Sequence, residues 1–306
     1  MSSPSQSPSP SLSPSTPDGR APLGSLVGKL LVRGMLAGLI AGLFAFAVAY
    51  VAGEPSVDAS IAVEESGAAA EHAASHGSAA PPAAGGEATG HEAGGHEEEV
   101  IVSRDLQSTA GLATGVLVYG VALGGIASLA FCFVLGRVGR FGPRATAALV
   151  AAAAFTTVTL VPYLKYPATP PAVGNPDTIG QRTSLYFLMI LLSVLLGIAA
   201  VVAGRRLAPR LGNWNATVVA GAGFVAAVAV ACVFLPGNGD SVQPGFPAAV
   251  LWEFRLASLG VQAALWVAFA LAFGPLAERL LAPPAVARTA DRDPDQDPAR
   301  APAPVA

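Results

Sequence analysis

The sequence alternates between long apolar stretches and short charged ones. Six windows contain no charged residue, and each is at least 20 residues long: 34–53, 106–136, 145–164, 183–204, 211–239 and 256–277. A helix needs roughly 20 apolar residues to cross the hydrocarbon core of a bilayer, and backbone amides in lipid must be bonded within the segment. The pattern therefore predicts an all-α integral membrane protein, a bundle of about six transmembrane helices at about 26–52, 109–136, 145–164, 184–204, 215–235 and 256–281.

The polar stretches divide the rest of the chain. Residues 1–22 are a Ser/Pro run and 283–306 are rich in Pro, Asp and Arg, so both are expected to be disordered cytoplasmic tails that are too polar to bury a core. Between them the transmembrane bundle occupies 26–281. Its longest connection, 53–108, is predicted to be an acidic outer loop that contains a short piece of helix from Ser60 to Ala74.

Charge sets the expected orientation. Hydrophobic residues make up 53% of the chain and charged residues 12%, about half of the roughly 25% usual for soluble domains. With six crossings and a cytoplasmic N-terminus, thirteen of the seventeen Lys and Arg residues lie inside, as the positive-inside rule requires. We therefore predict a multi-pass protein of the plasma membrane with both termini in the cytoplasm. Its main partner is the lipid bilayer, and no nucleic acid is expected to bind.

All four histidines of the chain lie in the 53–108 loop, interleaved with glutamates. That loop contains eleven acidic residues and one basic residue. Imidazole and carboxylate groups together suit divalent first-row metals, and the predicted ligands are His72, His76, His91, His96, Glu71, Glu92 and Glu97. Ordering the Gly/Pro-rich tract between the two His pairs would cost entropy. The pattern thus predicts a weak, fast-exchanging metal collector; the alternative is a solvated acidic linker in which the histidines bind nothing.

The predicted helices carry no constellation that suggests catalysis. The sequence has no P-loop, zinc-protease, nucleophile-elbow or Cys-x-x-Cys motif. No charged residue lies near a helix centre, where ion-coupled transporters usually carry one. We therefore predict that the protein is not an enzyme and has no tightly bound cofactor. Polar residues inside the helices are interpreted as packing rather than as a path: Met35, Cys132, Thr156, Thr157, Thr159, Met189 and Gln262.

Charged residues also gather at the predicted outer ends of the helices: Lys165, Asp177, Arg182, Glu253 and Arg255. The loop of residues 165–177 is dense in proline, which restricts the backbone, so this loop is expected to be ordered. If it folds over the bundle, Asp177 would pair with Arg182 or Arg255, and the group would form the mouth of a path. The alternative is that these charges only anchor the helix ends at the membrane surface.

Several stretches resemble the CbtA-type cobalt transporter subunits of bacteria. They are residues 31–39, the acidic His-bearing loop, and residues 103–111, 164–178 and 254–260; the proline loop is the most specific of them. The resemblance covers about 26–281. It implies cobalt uptake linked to cobalamin supply, a small single-span membrane partner with its own His motif, and five spans where the charge pattern predicts six.

The leading hypothesis is a membrane subunit of a divalent-metal uptake system that moves cobalt inward. The external His/Glu loop would collect the weakly bound ion, and nickel or zinc would suit the same ligands. The rival hypothesis is a membrane metal-sensing or scaffold protein that binds metal outside without transporting it. Metal accumulation in cells with and without the chain would separate the two.

Overall fold

The structure, a computed structural model, describes residues 23–77, 106–170, 173, 178–237, 242 and 246–282. Every regular element in these ranges is helical: α1 (Leu23–Val48), α2 (Glu54–Gly77), α3 (Leu112–Val134), α4 (Pro143–Ala154), α5 (Val161–Lys165), α6 (Ile179–Phe234) and α7 (Ala248–Leu281). π-helical segments join α1 to α2 (Ala49–Gly53) and α4 to α5 (Phe155–Leu160), and another precedes α3 (Gln107–Gly111). Both predicted tails and residues 78–105 of the predicted loop lie outside the described residues.

Five helices within the described ranges are long and apolar enough to cross a membrane. One of them, α6, is broken at Gly212, whose φ of 75° is accessible because glycine has no Cβ. The two arms fold back on each other, since a Cβ on Gly204 would lie 3.3 Å from the Cβ of Ala220. Each arm is longer than the roughly 20 residues that a span needs. The predicted all-α membrane bundle of about six helices is confirmed, because the two arms of α6 count as separate helices of the bundle.

The first helix differs from its prediction, because it does not end at residue 52. The backbone continues through the π-helical segment into α2, so that 54–77 form one continuous helix where a loop with only a short helical piece from Ser60 to Ala74 was expected. Residues 54–77 are rich in Ala and Glu, which are strong helix formers. Ser56 and Ser60 are also buried. The absence of charge marks the part of a helix that lipid can cover and does not mark where the helix ends.

A stripe of glycines holds α1 against α3. A Cβ on Gly38 would lie 2.2 Å from the carbonyl oxygen of Gly120, and one on Gly124 would lie 2.4 Å from the carbonyl oxygen of Gly34. These distances are too short for any side chain, so the two backbones are in direct contact. Small residues at such spacing are the usual means of close helix packing in membranes.

Two hydrophobic clusters divide the bundle. The larger cluster is built from α1, α3, α4 and α7, with Phe131 edge-on to Phe273 at 5.1 Å and Phe269 stacked on Phe273 at 5.2 Å. The smaller cluster joins α5 to both arms of α6 around Val161, Tyr166 and Met189. The α6 hairpin therefore packs on the rest of the bundle mainly through the π-helical segment and α5.

Polar contacts tie the helices together at the end of the bundle where α1 begins and α7 ends. Arg33 donates a hydrogen bond from Nη1 to the carbonyl oxygen of Leu276 at 2.6 Å. Arg144 pairs with Glu278 at 2.5 Å, with both side chains partly open to solvent. Arg144, at the start of α4, therefore meets the end of α7, so these two helices run antiparallel.

Candidate transport site

The described part of the proline loop, residues 166–170 and 173, packs onto the opposite end of the bundle. This end also includes α5 and the starts of α6 and α7, and is here called the proline-loop end. Tyr166 is only 6% exposed, and Pro170 and Val173 are buried. The Tyr166 hydroxyl donates to the carbonyl oxygen of Pro236 at 2.8 Å, and Arg255 donates from Nε to the carbonyl oxygen of Ala168 at 3.3 Å. These contacts hold the loop over the helix ends.

A cavity of about 350 Å³ lies beside the docked loop. Its lining combines aromatic, hydroxyl and cationic groups: Tyr163, Tyr166, Pro167, Ala168, Thr169, Ile179, Arg182, Thr183 and Tyr186. The Tyr163 hydroxyl donates to the carbonyl oxygen of Arg255 at 2.7 Å, so α5 and α7 are joined at the cavity wall. The cavity thus combines polar groups with a larger apolar part of its lining at one end of the bundle.

Tyr166 is a permanent hydrogen-bond donor in this arrangement. Burial raises the pKa of its hydroxyl, and the nearby Cys232 acts in the same direction to a smaller extent. The hydroxyl therefore keeps its proton at physiological pH and can hold Pro236. Lys165 lies above the same ring, with Nζ 5.8 Å from the ring centroid, a position in which the cation is attracted to the aromatic face.

Three of the five predicted mouth residues meet around this cavity. Arg182 lines it, Arg255 reaches Tyr163 and Ala168, and Lys165 lies over Tyr166. Glu253 is exposed in the first turns of α7, while Asp177 lies outside the described residues. The predicted pairing of Asp177 with an arginine therefore stays a prediction.

Only some of the predicted metal ligands lie among the described residues. His72 is an exposed residue of α2, and Glu71 and His76 belong to the same helix. His91, His96, Glu92 and Glu97 lie outside the described residues. Within the part of the chain that the structure describes, no group of three or more His, Cys, Asp or Glu side chains is placed to hold a metal ion. The external metal site remains a prediction.

The π-helical segment Phe155–Leu160 creates a polar feature inside the bundle. There the Val161 amide donates to the carbonyl oxygen of Thr156, five residues back. The next residue, Pro162, has no N–H, so the carbonyl of Thr157 is left without a donor from its own helix. The buried Ser193 of α6 supplies that donor through its hydroxyl. The sequence analysis named Thr157 but missed Ser193. The feature that could have indicated an unbonded carbonyl here is the proline that follows the run of threonines.

Comparisons with known proteins give one match. A search of curated proteins and a search of solved structures found no similar chain. Residues 27–278, however, match the family described as "Probable cobalt transporter subunit (CbtA)", and this range covers all but the outer ends of the five membrane-length helices found in the described residues. The chain therefore belongs to the CbtA family of probable cobalt transporter subunits.

Proposed function

We propose that this CbtA-family chain moves cobalt inward across the membrane and that the ion passes through the cavity at the proline-loop end. The observation that carries this proposal is the docked loop: Tyr166 and Arg255 hold it beside a cavity whose lining combines tyrosine and threonine hydroxyls with apolar groups. Exposed apolar side chains on α6 suit lipid, whereas the cavity offers hydroxyl and carbonyl oxygens. Oxygen ligands of this kind are compatible with a hydrated divalent cation.

The acidic segment that follows α1 would collect the ion. Residues 53–108 have a net charge of −10, which raises the local concentration of cations at low ionic strength. His72 is exposed on α2, beyond the membrane-length part of the first helix, where imidazole is accessible to water. We infer that His72, His76, His91 and His96, with Glu71, Glu92 and Glu97, exchange the ion quickly and set the affinity of uptake.

The positively charged side chains at the proline-loop end would position the loop and would not bind the metal. Arg255 uses Nε to hold Ala168, and its carbonyl receives Tyr163. Positive side chains repel a divalent cation, so their role here is to position the loop backbone. Removing Arg255 should therefore disturb the cavity at every metal concentration.

Measuring cobalt uptake in cells that lack other cobalt importers tests whether the collection of the ion and its passage are separate functions. Deleting 68–96 should reduce uptake when cobalt is scarce and leave uptake nearly unchanged when cobalt is abundant. Arg255→Ala should lower uptake across the whole range, while Arg279→Ala, an exposed arginine at the other end of α7, should leave it unchanged. Equal effects of the deletion and of Arg255→Ala at all concentrations would refute the separation of collection from passage.

A wild-type chain that binds cobalt and accumulates none would support the sensor or scaffold hypothesis instead. Because the family description calls the chain a subunit, the same assay should be run with its partner present. We propose a small single-span membrane protein with a His motif, as the resemblance implies. Copurification with the full chain from a membrane extract tests that pairing, and recovery of the chain alone would count against it.

A further inference from the structure

The last two turns of α7, residues 274–281, are here called the end segment, and two polar contacts fasten them to neighbouring helices. Arg33 of α1 donates a hydrogen bond from Nη1 to the carbonyl oxygen of Leu276 at 2.6 Å. Arg144 of α4 pairs with Glu278 at 2.5 Å. The end segment is therefore held from two sides, by α1 through its backbone and by α4 through a side chain.

A proline weakens the joint between the end segment and the rest of α7. Pro275 lies inside the helix and has no N–H, so the carbonyl of Leu271 receives no amide hydrogen from that position. Sharp changes in the direction of a helix occur most often at prolines. Gly274 comes directly before it, and a Cβ there would lie 3.4 Å from the Cα of Arg144, so α4 passes close to the joint. Because one backbone hydrogen bond is already missing here, α7 is easier to bend at this turn than at its other turns.

The end segment covers one end of the bundle core. Ala277 is fully buried, and Leu280 packs against the larger hydrophobic cluster. Directly before the joint, Phe273 is buried against Phe131 and Phe269. Side chains thus fill the core at this end, whereas the cavity lies at the proline-loop end. An ion that entered through the cavity would meet the aromatic cluster and then the end segment before it left the bundle.

We propose that the end segment is a gate that pivots at Pro275, releases its contacts with Arg33 and Arg144, and opens the core to water at the end opposite the proline loop. The ion pair with Arg144 is partly exposed, and ion pairs of this kind are weak. The bond from Arg33 is charge-assisted and therefore stronger, so Arg33 is the main latch. The inference rests on the proposed function for the identity of the ion, but the opening itself has a test that needs no transport.

Thiol labelling of Ala277→Cys in lipid nanodiscs measures this opening. The full chain is first made free of cysteine with Cys132→Ala and Cys232→Ala. Since Ala277 is fully buried and the reaction needs a hydrated thiolate, a water-soluble methanethiosulfonate should label the closed state slowly. Arg33→Ala should speed the labelling by about tenfold or more, as expected for the loss of a hydrogen bond from a charged group. Glu278→Gln should speed it by at most about fivefold.

Two controls separate opening of the gate from general loosening of the bundle. Arg279→Ala, on the exposed side of the end segment, should leave the labelling of Ala277→Cys unchanged. Ala45→Cys, at a fully buried position of α1 away from the end segment, should not respond to Arg33→Ala. The gate would be overturned if Arg33→Ala left the labelling of Ala277→Cys unchanged, or if it speeded the labelling of Ala45→Cys equally.

A disulfide across the joint tests the role of the gate in transport. Cβ atoms at positions 144 and 274 would lie 3.7 Å apart, within the roughly 3.5–4.5 Å typical of disulfides. Arg144→Cys combined with Gly274→Cys in the cysteine-free chain should therefore cross-link on oxidation. Cobalt uptake should then stop and return with a reductant, while neither single-cysteine variant should respond to the oxidant.

Cobalt uptake that continues through the cross-linked protein would overturn the gate. If the double variant takes up no cobalt even when reduced, the labelling of Ala277→Cys decides alone. A wild-type chain that takes up no cobalt, while the labelling results are as expected, would refute the proposed function and leave the gate standing.

Discussion

The hydroxyl of Ser193 donates a hydrogen bond to the carbonyl of Thr157, the carbonyl that Pro162 leaves without an amide donor. The bond joins the α6 hairpin to the π-helical segment between α4 and α5. A local feature of one helix, the missing proline N–H, thus creates a specific contact between two parts of the bundle. π-helical turns expose backbone groups in this way and are frequent at functional sites.

Removing this hydroxyl should destabilise the protein in a way that a second change reverses. Ser193→Ala should lower the free energy of unfolding by about 1 kcal/mol, within the range measured for hydrogen bonds inside membrane helices. Pro162→Ala restores an N–H that can reach Thr157, so Ser193→Ala should cost less in that background. A double-mutant cycle of thermal stability in detergent checks this. Strictly additive effects would show that the two residues do not share the Thr157 carbonyl.

The glycine stripe between α1 and α3 should tolerate no side chain. Gly38→Ala places a Cβ against the Gly120 carbonyl, and such overpacking typically costs about 1–3 kcal/mol. Gly115→Ala in α3 is the matched control, since nothing lies within 4 Å of its Cβ position and alanine favours the helix by about 1 kcal/mol. Size-exclusion profiles after heating should show loss of the folded protein for Gly38→Ala and no such loss for Gly115→Ala. Equal stability would mean that the two backbones can separate freely.

The two polar contacts at the end opposite the proline loop should differ in strength. Arg33→Ala removes a charge-assisted hydrogen bond to the Leu276 carbonyl, which should cost about 1.5–3 kcal/mol. Glu278→Gln breaks an ion pair whose side chains are 64% and 43% exposed, so the loss should be about 0–1 kcal/mol. Chemical unfolding of the two variants ranks them. The opposite ranking would show that the solvent-exposed pair is the stronger one.

The expected membrane orientation follows from the distribution of Lys and Arg. In a cysteine-free chain in whole cells, Gly67→Cys should react with an impermeant reagent, because α2 is expected outside. Gly142→Cys, in the basic turn between α3 and α4, should react only after the membrane is permeabilised. The reverse pattern would place both termini outside.

The His segment should bind metal with an acid-sensitive affinity. A peptide of residues 60–104 should bind cobalt, nickel or zinc at micromolar strength or weaker, and less at about pH 5 than at about pH 7.5, because protonated imidazole cannot coordinate a metal. Titration calorimetry at both pH values measures this. Unchanged metal binding after replacement of all four histidines with alanine would show that the carboxylates alone bind the metal.

Much of the candidate site was within reach of the sequence, and particular parts were not. The proline density of residues 165–177 predicted an ordered loop, and Lys165, Arg182 and Arg255 were named as its surroundings. The roles of Tyr163, Tyr166 and Tyr186 were missed, because a tyrosine at a helix end reads equally well as a membrane-interface anchor. Gln262 was interpreted as packing, since a single sequence does not reveal whether its amide has partners.

The sequence by itself determined that the chain is helical and membrane-spanning and which segments lipid can cover, because a bilayer imposes a length, an apolar surface and internal backbone bonding on every span. Only the tertiary structure decided that α1 meets α3 through its glycines, that the proline loop docks through Tyr166 and Arg255, and that α6 folds back at Gly212. Those contacts join residues far apart in the chain, and their partners are chosen by how the packed helices bring side chains and carbonyls together, which no local pattern encodes.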